Sequence, residues 1–370
     1  MENNHLLFQP FRLNDQITLH NRVVMAPLTR RRAENSALAA DNTIALYYKQ
    51  RASAGLIISE GSQISPQAYG YTNTPGCFTN SQIEAWKKVT HEVHKAKGKI
   101  FLQLWHVGPF SHKDLQPDNL PPLSASPVVP KGQVLTPEGR KNYGSSRSMS
   151  EEDIQRTVTD FATAAQNALI SGFDGVEIHG AHAYVIDQFI MDGTNQRNDQ
   201  FGGSVENRSR FLFMIIEEIL KTVPAHRVGL RLSPKAVKED MEDSQPLKTY
   251  GYIIDKLNDY NLAYLHLSEM MSTEERLQQN NNSIVPYYRK IYKGNLISCG
   301  GHTYQSAIDL LNKNMADMIA FGKPFISNPD LVDRMRNDFP LQPYDKDTFY
   351  NGGKKGYVDY PFYEHTDKNR

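Results

Sequence analysis

Cysteine is scarce in this chain: Cys77 and Cys299 are the only two among 370 residues. Two thiols supply neither a disulfide framework nor a thiolate zinc cage, and each is expected to be a plain buried or half-buried thiol. An excess of one charge is missing as well, since Lys+Arg and Asp+Glu both number 41 and the formal net charge is zero. That balance gives no electrostatic reason to expect nucleic acid or an anionic membrane as partner. No run approaches the roughly 18 apolar residues of a membrane span. The opening segment, MENNHLLFQP, has no basic stretch leading into an apolar run, as a secretory signal would. A reducing cytoplasm is the expected address.

Enough apolar residue is present to build a core. Hydrophobic residues make up 39% of the chain and charged residues 22%, which argues against bulk disorder. Eight short apolar runs recur: RVVMAPL (22–28), GLIISEGS (55–62), KIFLQLWHV (99–107), GFDGVEIHG (172–180), RVGLRLS (227–233), LAYLHLSE (262–269), NLISCGG (295–301) and ADMIAFGK (316–323). Near-continuous runs of this kind suit parallel strands covered on both faces. Helical spacing lies between them, as in 203–222, 246–260 and 303–314. Ser150 followed by Asp153 reads as a capping box, with Ile154, Val158, Phe161, Ala165 and Ala168 forming an apolar face. The alternation predicts a single (β/α)8 TIM barrel occupying residues 1–370. Two doubly wound sheets are the alternative, but no GxGxxG loop follows the first run. Two stretches exceed the barrel: 108–148, expected to be a lid-like insertion after the third strand, and a polar tail over 339–370.

The candidate chemistry sits at the expected C-terminal strand ends, the rim where such barrels act. His179, His182 and Tyr184 fall where the fourth strand gives way to a helix. Two imidazoles there can donate hydrogen bonds to a substrate oxygen, and the phenol can supply a proton. Thr29, Gln103 and Arg231 offer a hydroxyl, an amide and a guanidinium, a set that matches the edge of a flat heterocycle such as an isoalloxazine. The last two strands end in Gly300–Gly301 and Gly322–Lys323, loops able to present N–H groups and a cation to a phosphate. A metal is not expected, because the two histidines lack a third ligand at a recognisable spacing.

Taken together, MAPLTR (25–30), GLIISEGSQIS (55–65), QLWHVG (103–108), HGAHAYVIDQF (179–189), DGTNQRNDQFGGSVENRSRF (192–211), RLSP (231–234), GGHT (300–303), FGKPFISNPDL (321–331) and GYVDYP (356–361) resemble the Old Yellow Enzyme family of FMN-dependent ene reductases. They run through nearly the whole chain in the family's order. Within it, QLWH, SHKDLQP, SASPV and the two-histidine motif look most like bacterial nitroester and N-ethylmaleimide reductases. The resemblance implies a non-covalent FMN, reduced by NADPH or NADH, and a small activated alkene as substrate, with nitro compounds or nitrate esters as further acceptors. It implies cofactor contacts from Pro27, Leu28, Thr29, Gly61, Gln103, His179, Arg231, Gly300, Gly301, Phe321, Gly322 and Lys323. It further implies a substrate pocket of Tyr71, Trp105, His179, His182 and Tyr350, with Tyr184 as proton donor.

The chain departs from the family's pattern at four positions. Lys323 stands where arginine is usual, and an ammonium cannot make the paired phosphate contact of a guanidinium. Gly61 replaces a frequent alanine, Pro109 a frequent basic residue, and Thr29 the cysteine of another branch. Two rival readings remain at this level: a flavin-independent lyase, for which Lys323 is the only buried lysine expected at a strand end, and a catalytically silent flavin- or ligand-binding barrel.

Overall fold

A computed structural model describes residues 5–234, 241–269 and 283–364. All eight expected runs form strands: β1 (Val23–Met25), β2 (Leu56–Gln63), β3 (Ile100–Trp105), β4 (Gly175–Gly180), β5 (Val228–Leu232), β6 (Tyr264–Ser268), β7 (Leu296–Cys299) and β8 (Met318–Phe321). Each pairs in parallel with its neighbours in sequence, and β8 pairs with β1 to close the barrel. Helices Asn42–Gln50, Asn80–Lys95, Glu151–Ile170, Val205–Leu220, Pro246–Lys256 and Tyr304–Asn312 cover its outside. Ser150 and Asp153 close the expected capping box, each side chain bonding the other's backbone N–H. Such a cap contributes about 1 kcal/mol to the helix it starts.

The period of two along each strand sorts residues between barrel interior and helix layer. Val23, Met25, Ile57, Ile100, Leu102, Val176 and Leu230 point outward into the cluster that contains Trp86, Val89 and Phe161. Their alternates Val24, Leu56, Ile58, Phe101, Tyr264, Ile297 and Met318 form a separate interior core. A hairpin of Phe11–Arg12 with Thr18–Leu19 plugs the lower end, adding Leu13, Ile17 and Leu19 to that interior. Asn14 and Asn295 tie it to the chain entering β5 and β7 through carbonyls of His226 and Leu13.

Residues 108–148 are more ordered than a loop. Gln133–Thr136 pairs antiparallel with Gly139–Asn142, and Leu123–Ser124 pairs with Arg147–Ser148. The polar tail returns to the barrel and is clamped from within. Arg30, Arg32 and Arg51 are buried and donate to carbonyls of Phe349, Gly356, Thr348, Gly353 and Tyr357. Tyr357 stacks on Tyr47 at 4.1 Å between centroids. Residues 365–370 of the expected tail lie outside the described residues. Among the described residues no helix is long and apolar enough to cross a membrane.

Candidate active site

Moving up the interior from the apolar core, the inward positions turn polar. Gln103, Glu177, Arg231, His266, Ser268 and Cys299 follow at two-residue spacing on β3 to β7. Register sets them side by side: Gln103 pairs with Glu177, Arg231 with His266, and Ser268 with Cys299. Fully buried Glu177 accepts from Gln103 Nε2 at 2.8 Å and lies 2.8 Å from His266 Nδ1. Burial depresses the His266 pKa, but the Glu177 charge outweighs it and holds the imidazole above its usual range. Arg231 donates through Nη2 to Ser268 Oγ at 3.2 Å and contacts Cys299 Sγ at 3.6 Å. Its Nε is buried without a hydrogen-bond partner.

Above this layer lies a cavity of about 260 Å³ bounded by Pro27, Leu28, His182, Arg231, Gly300 and Lys323, with Gly301, Phe321 and Gly322 completing its wall. Gly300, at φ 143°, is required there, because a Cβ would stand 2.4 Å from the Glu269 carbonyl oxygen. Lys323 is exposed rather than buried, which corrects the expectation of a buried lysine at this strand end. Cys299 also differs from the plain thiol expected. Burial opposes its ionisation, yet His266 and Arg231 together draw its pKa below the ordinary thiol value.

A second pocket of about 330 Å³ opens beside the first, between β3, the turn after β4 and the 133–142 hairpin. Trp105 stacks on Tyr71 at 5.2 Å, and Tyr184 stands edge-on to Trp105 at 5.0 Å. The phenols of Tyr71 and Tyr184 are 3.3 Å apart. Tyr350 reaches this pocket from the tail and Thr29 from the segment after β1. His179 is buried, its ring 5.1 Å from Tyr184 and 5.4 Å from His182.

The turn carrying His182 and Tyr184 has a conformation that needs support. His182 and Ala183 are both left-handed, at φ 61° and 59°, a region costly for residues with a Cβ. Asp187 holds it from below: the carboxylate accepts from Ala183 N–H at 2.8 Å and from the Tyr250 phenol. Ser233 Oγ takes the His182 N–H at 2.8 Å. Burial raises the Asp187 pKa to about 6, against the hydrogen bonds that favour its anion. His182 Nε2 then reaches Ser268 Oγ at 2.9 Å.

Most residues singled out from the sequence therefore meet at one rim, in two adjoining spaces. Pro27, Leu28, Arg231, Gly300, Gly301, Phe321, Gly322, Lys323 and His182 surround the inner cavity, while Tyr71, Trp105, Tyr184, Tyr350 and Thr29 line the outer pocket. Gln103 and His179 line neither, and Gly61 does not either. It lies against the Trp105 indole, whose Cε3 would be 2.6 Å from a Cβ at that position. Glu177, His266, Ser268, Asp187 and Ser233 were not anticipated. For the first three the signal was present as polar residues at alternate places in VEIH and YLHLS, each within an apolar strand. Among the described residues no group of His, Cys, Asp and Glu is placed to hold a metal.

The chain matches the family model described as the NADH:flavin oxidoreductase / NADH oxidase family over residues 6–342. It is 40% identical to 12-oxophytodienoate reductase 1 of Oryza sativa subsp. japonica, covering 98% of this chain and 94% of that protein. Morphinone reductase in complex with tetrahydroNAD superposes with a TM-score of 0.91 at 40% identity, covering 99% of this chain and 100% of the other. The old yellow enzyme homologue from Zymomonas mobilis gives 0.91 at 39% identity, covering 96% and 99%.

Proposed function

Because the chain belongs to the NADH:flavin oxidoreductase / NADH oxidase family, we propose that the residues gathered at its barrel mouth hold FMN in the inner cavity and an activated alkene in the outer pocket. The enzyme is an FMN-dependent NAD(P)H oxidoreductase that reduces electron-poor carbon–carbon double bonds. Bound FMN supplies a hydride, taken from NAD(P)H, to the β-carbon of the alkene. Nitro compounds and nitrate esters are proposed as further acceptors. The cytoplasm is proposed as its location, in keeping with two free thiols, and the whole chain as one domain with 108–148 as its lid.

One observation carries the assignment of residues. A guanidinium nitrogen, Arg231 Nε, is buried without a partner at a glycine-walled cavity, and a phenol cluster adjoins it. An orphaned buried donor of this kind calls for an acceptor from a ligand. Arg231 is suited to the electron-rich edge of the isoalloxazine, and Gln103 to the pyrimidine edge, its amide held by Glu177. Gly300, Gly301, Gly322 and exposed Lys323 would hold the phosphate.

His179 and His182, whose rings lie 5.4 Å apart with His179 5.1 Å from Tyr184, would bind the substrate's carbonyl or nitro oxygen where the two spaces adjoin. Ser268 Oγ, which accepts from Arg231, lies 2.9 Å from His182 Nε2 and fixes the orientation of that ring. Donors fixed in this way strengthen their hold as negative charge grows on the oxygen in the transition state. Tyr184, packed by Trp105 and Tyr71, holds a proton for the α-carbon.

The test separates the two half-reactions. Purified protein should carry a flavin spectrum, and heat should release FMN. Tyr184→Phe should slow reoxidation by a cyclic enone by about 10²–10⁴-fold while reduction by NAD(P)H stays near wild type. Equal losses in both, or none in either, would remove Tyr184 from the proton-donor role.

A further inference from the structure

The inner cavity carries a nucleophile that alkene reduction leaves idle. Cys299 ends β7, packs against the interior core and lines the same space of about 260 Å³ as Arg231, Gly300 and Lys323. Its side chain is half-buried, and positive charge surrounds it. Arg231 Nη2 stands 3.6 Å from the sulfur. Arg231 is only 6% exposed, and its Nε gives the cavity wall a buried donor with no partner in the protein. His266 on β6 is fully buried, held through Nδ1 by Glu177 at 2.8 Å, and its Nε2 is a second buried atom without a hydrogen bond. Glu269, the carboxylate in the cavity lining, is taken up by Ser283 Oγ at 3.0 Å and the Ile284 N–H at 2.9 Å. Burial works against a thiolate at Cys299, yet His266 and Arg231 favour it more strongly. Cys77 has no such setting: it is fully buried in the core, and burial pushes its thiol up to about 12. A partly exposed sulfur among cations is the reactive kind of cysteine, whereas a buried apolar one is inert.

We propose that Cys299 is a covalent trap for electrophilic alkenes, alkylated before FMN is bound and thereafter blocking the cavity against FMN. This rests on the inner cavity being the flavin site and on activated alkenes being the substrate class. The step is an addition that needs no oxidant or reductant. The thiol loses its proton, and the sulfur pair forms an S–C bond to the β-carbon. The C=C π pair passes toward the α-carbon and its electron-withdrawing oxygen, and the α-carbon then takes a proton from water. The product is a thioether that holds all atoms of both partners. Arg231 Nε is a donor suited to the oxygen on which charge gathers during the addition. Because the sulfur lies in the space assigned to FMN, flavin loading covers it, and loading and alkylation exclude each other. The enzyme's own substrate class would then inactivate flavin-free chains, and a sufficient flavin supply would protect them.

The experiment treats full-length protein, stripped of FMN or fully loaded, with N-ethylmaleimide in the absence of NAD(P)H, so that no reduction competes. Intact mass and peptide mapping assign the label to Cys299 or Cys77. Flavin absorbance after incubation with fresh FMN reads the loading capacity that remains. Stripped protein should take a single label, at Cys299, and lose loading capacity in step with it. FMN at about 100 times its Kd should slow labelling about 100-fold, since only the free form reacts. Cys299→Ser should take no label and keep its loading capacity through the treatment. Absence of label at Cys299, or labelling at the same rate with FMN bound, would overturn the proposal. Labelling of both cysteines at one rate would also overturn it, by showing an opened chain rather than a poised thiol. A chain that binds no FMN yet is labelled selectively at Cys299 would sink the proposed function while supporting the thiol as the reactive site.

Discussion

At the scale of single residues, the site depends on what lies behind its visible members. Gly61 is informative because its missing Cβ is the space the Trp105 indole occupies. Gly61→Ala should push the indole toward Tyr71 and narrow the outer pocket. Overpacking of this sort costs about 1–3 kcal/mol. KM for a bulky enone should rise more than KM for a small one, with flavin content retained; a variant with unchanged KM for both would show that the indole has room to move. Ser268 is a second such residue, bridging His182 and Arg231. Ser268→Ala removes the hydroxyl that holds the His182 ring through Nε2. Affinity for phenolic ligands, read by flavin titration at matched FMN content, should fall about tenfold. No change there would assign His182 an orientation set by its backbone alone.

At the scale of elements, the turn after β4 is the decisive piece. Two successive left-handed residues set His182 on the wall of the inner cavity and Tyr184 on that of the adjoining outer pocket, either side of His179, and buried Asp187 accepts the Ala183 N–H that this geometry exposes. Asp187→Ala would leave that N–H and the Tyr250 phenol without an acceptor, at a cost of about 2–4 kcal/mol. Both stability and phenol affinity should drop, whereas binding of free FMN to apoprotein should change less. Loss of stability with unaltered phenol affinity would mean that the turn keeps its shape without the carboxylate. The 133–142 hairpin is the other element that matters, since it carries Arg140 and closes the outer pocket.

At the scale of the whole molecule, the tail and the barrel are joined by buried charge. Arg30, Arg32 and Arg51 give most of their hydrogen bonds to carbonyls, and Glu60 is the buried carboxylate beside them. Burial raises the Glu60 pKa to about 7, although Arg30 and Arg32 pull it down. The folded state thus keeps a proton that the unfolded chain gives up near pH 4.5. The contribution of this group to stability is greatest below that pH and is lost as pH rises through about 7. Glu60→Gln mimics the protonated form, so its stability relative to wild type should improve between pH 5 and pH 8, by roughly 1–3 kcal/mol. Denaturation curves at the two pH values provide the measurement, and a gap that does not change with pH would place the Glu60 titration elsewhere.

Strand order, the parallel barrel and the rim location were legible in the sequence because they depend on local pattern. Apolar runs separated by helical spacing admit few other closed arrangements. The motifs that marked His179, His182, Tyr184 and Arg231 were equally local; His182 and Arg231 line the inner cavity, Tyr184 the outer pocket, and the His179 ring packs against both His182 and Tyr184. The polar layer of Glu177, His266, Ser268 and Cys299 was harder to see, because a buried charge looks out of place in a strand until its partner on the next strand is known. Register supplies that partner. Arg31 and Arg140, which line the outer pocket, were beyond local reading altogether, and Tyr350 was reached only through the family resemblance. They are far apart in the chain, and no periodicity relates a segment after β1, a hairpin and a tail. Folding brings them to one pocket because buried arginines pin the tail, while the hairpin reaches the same rim.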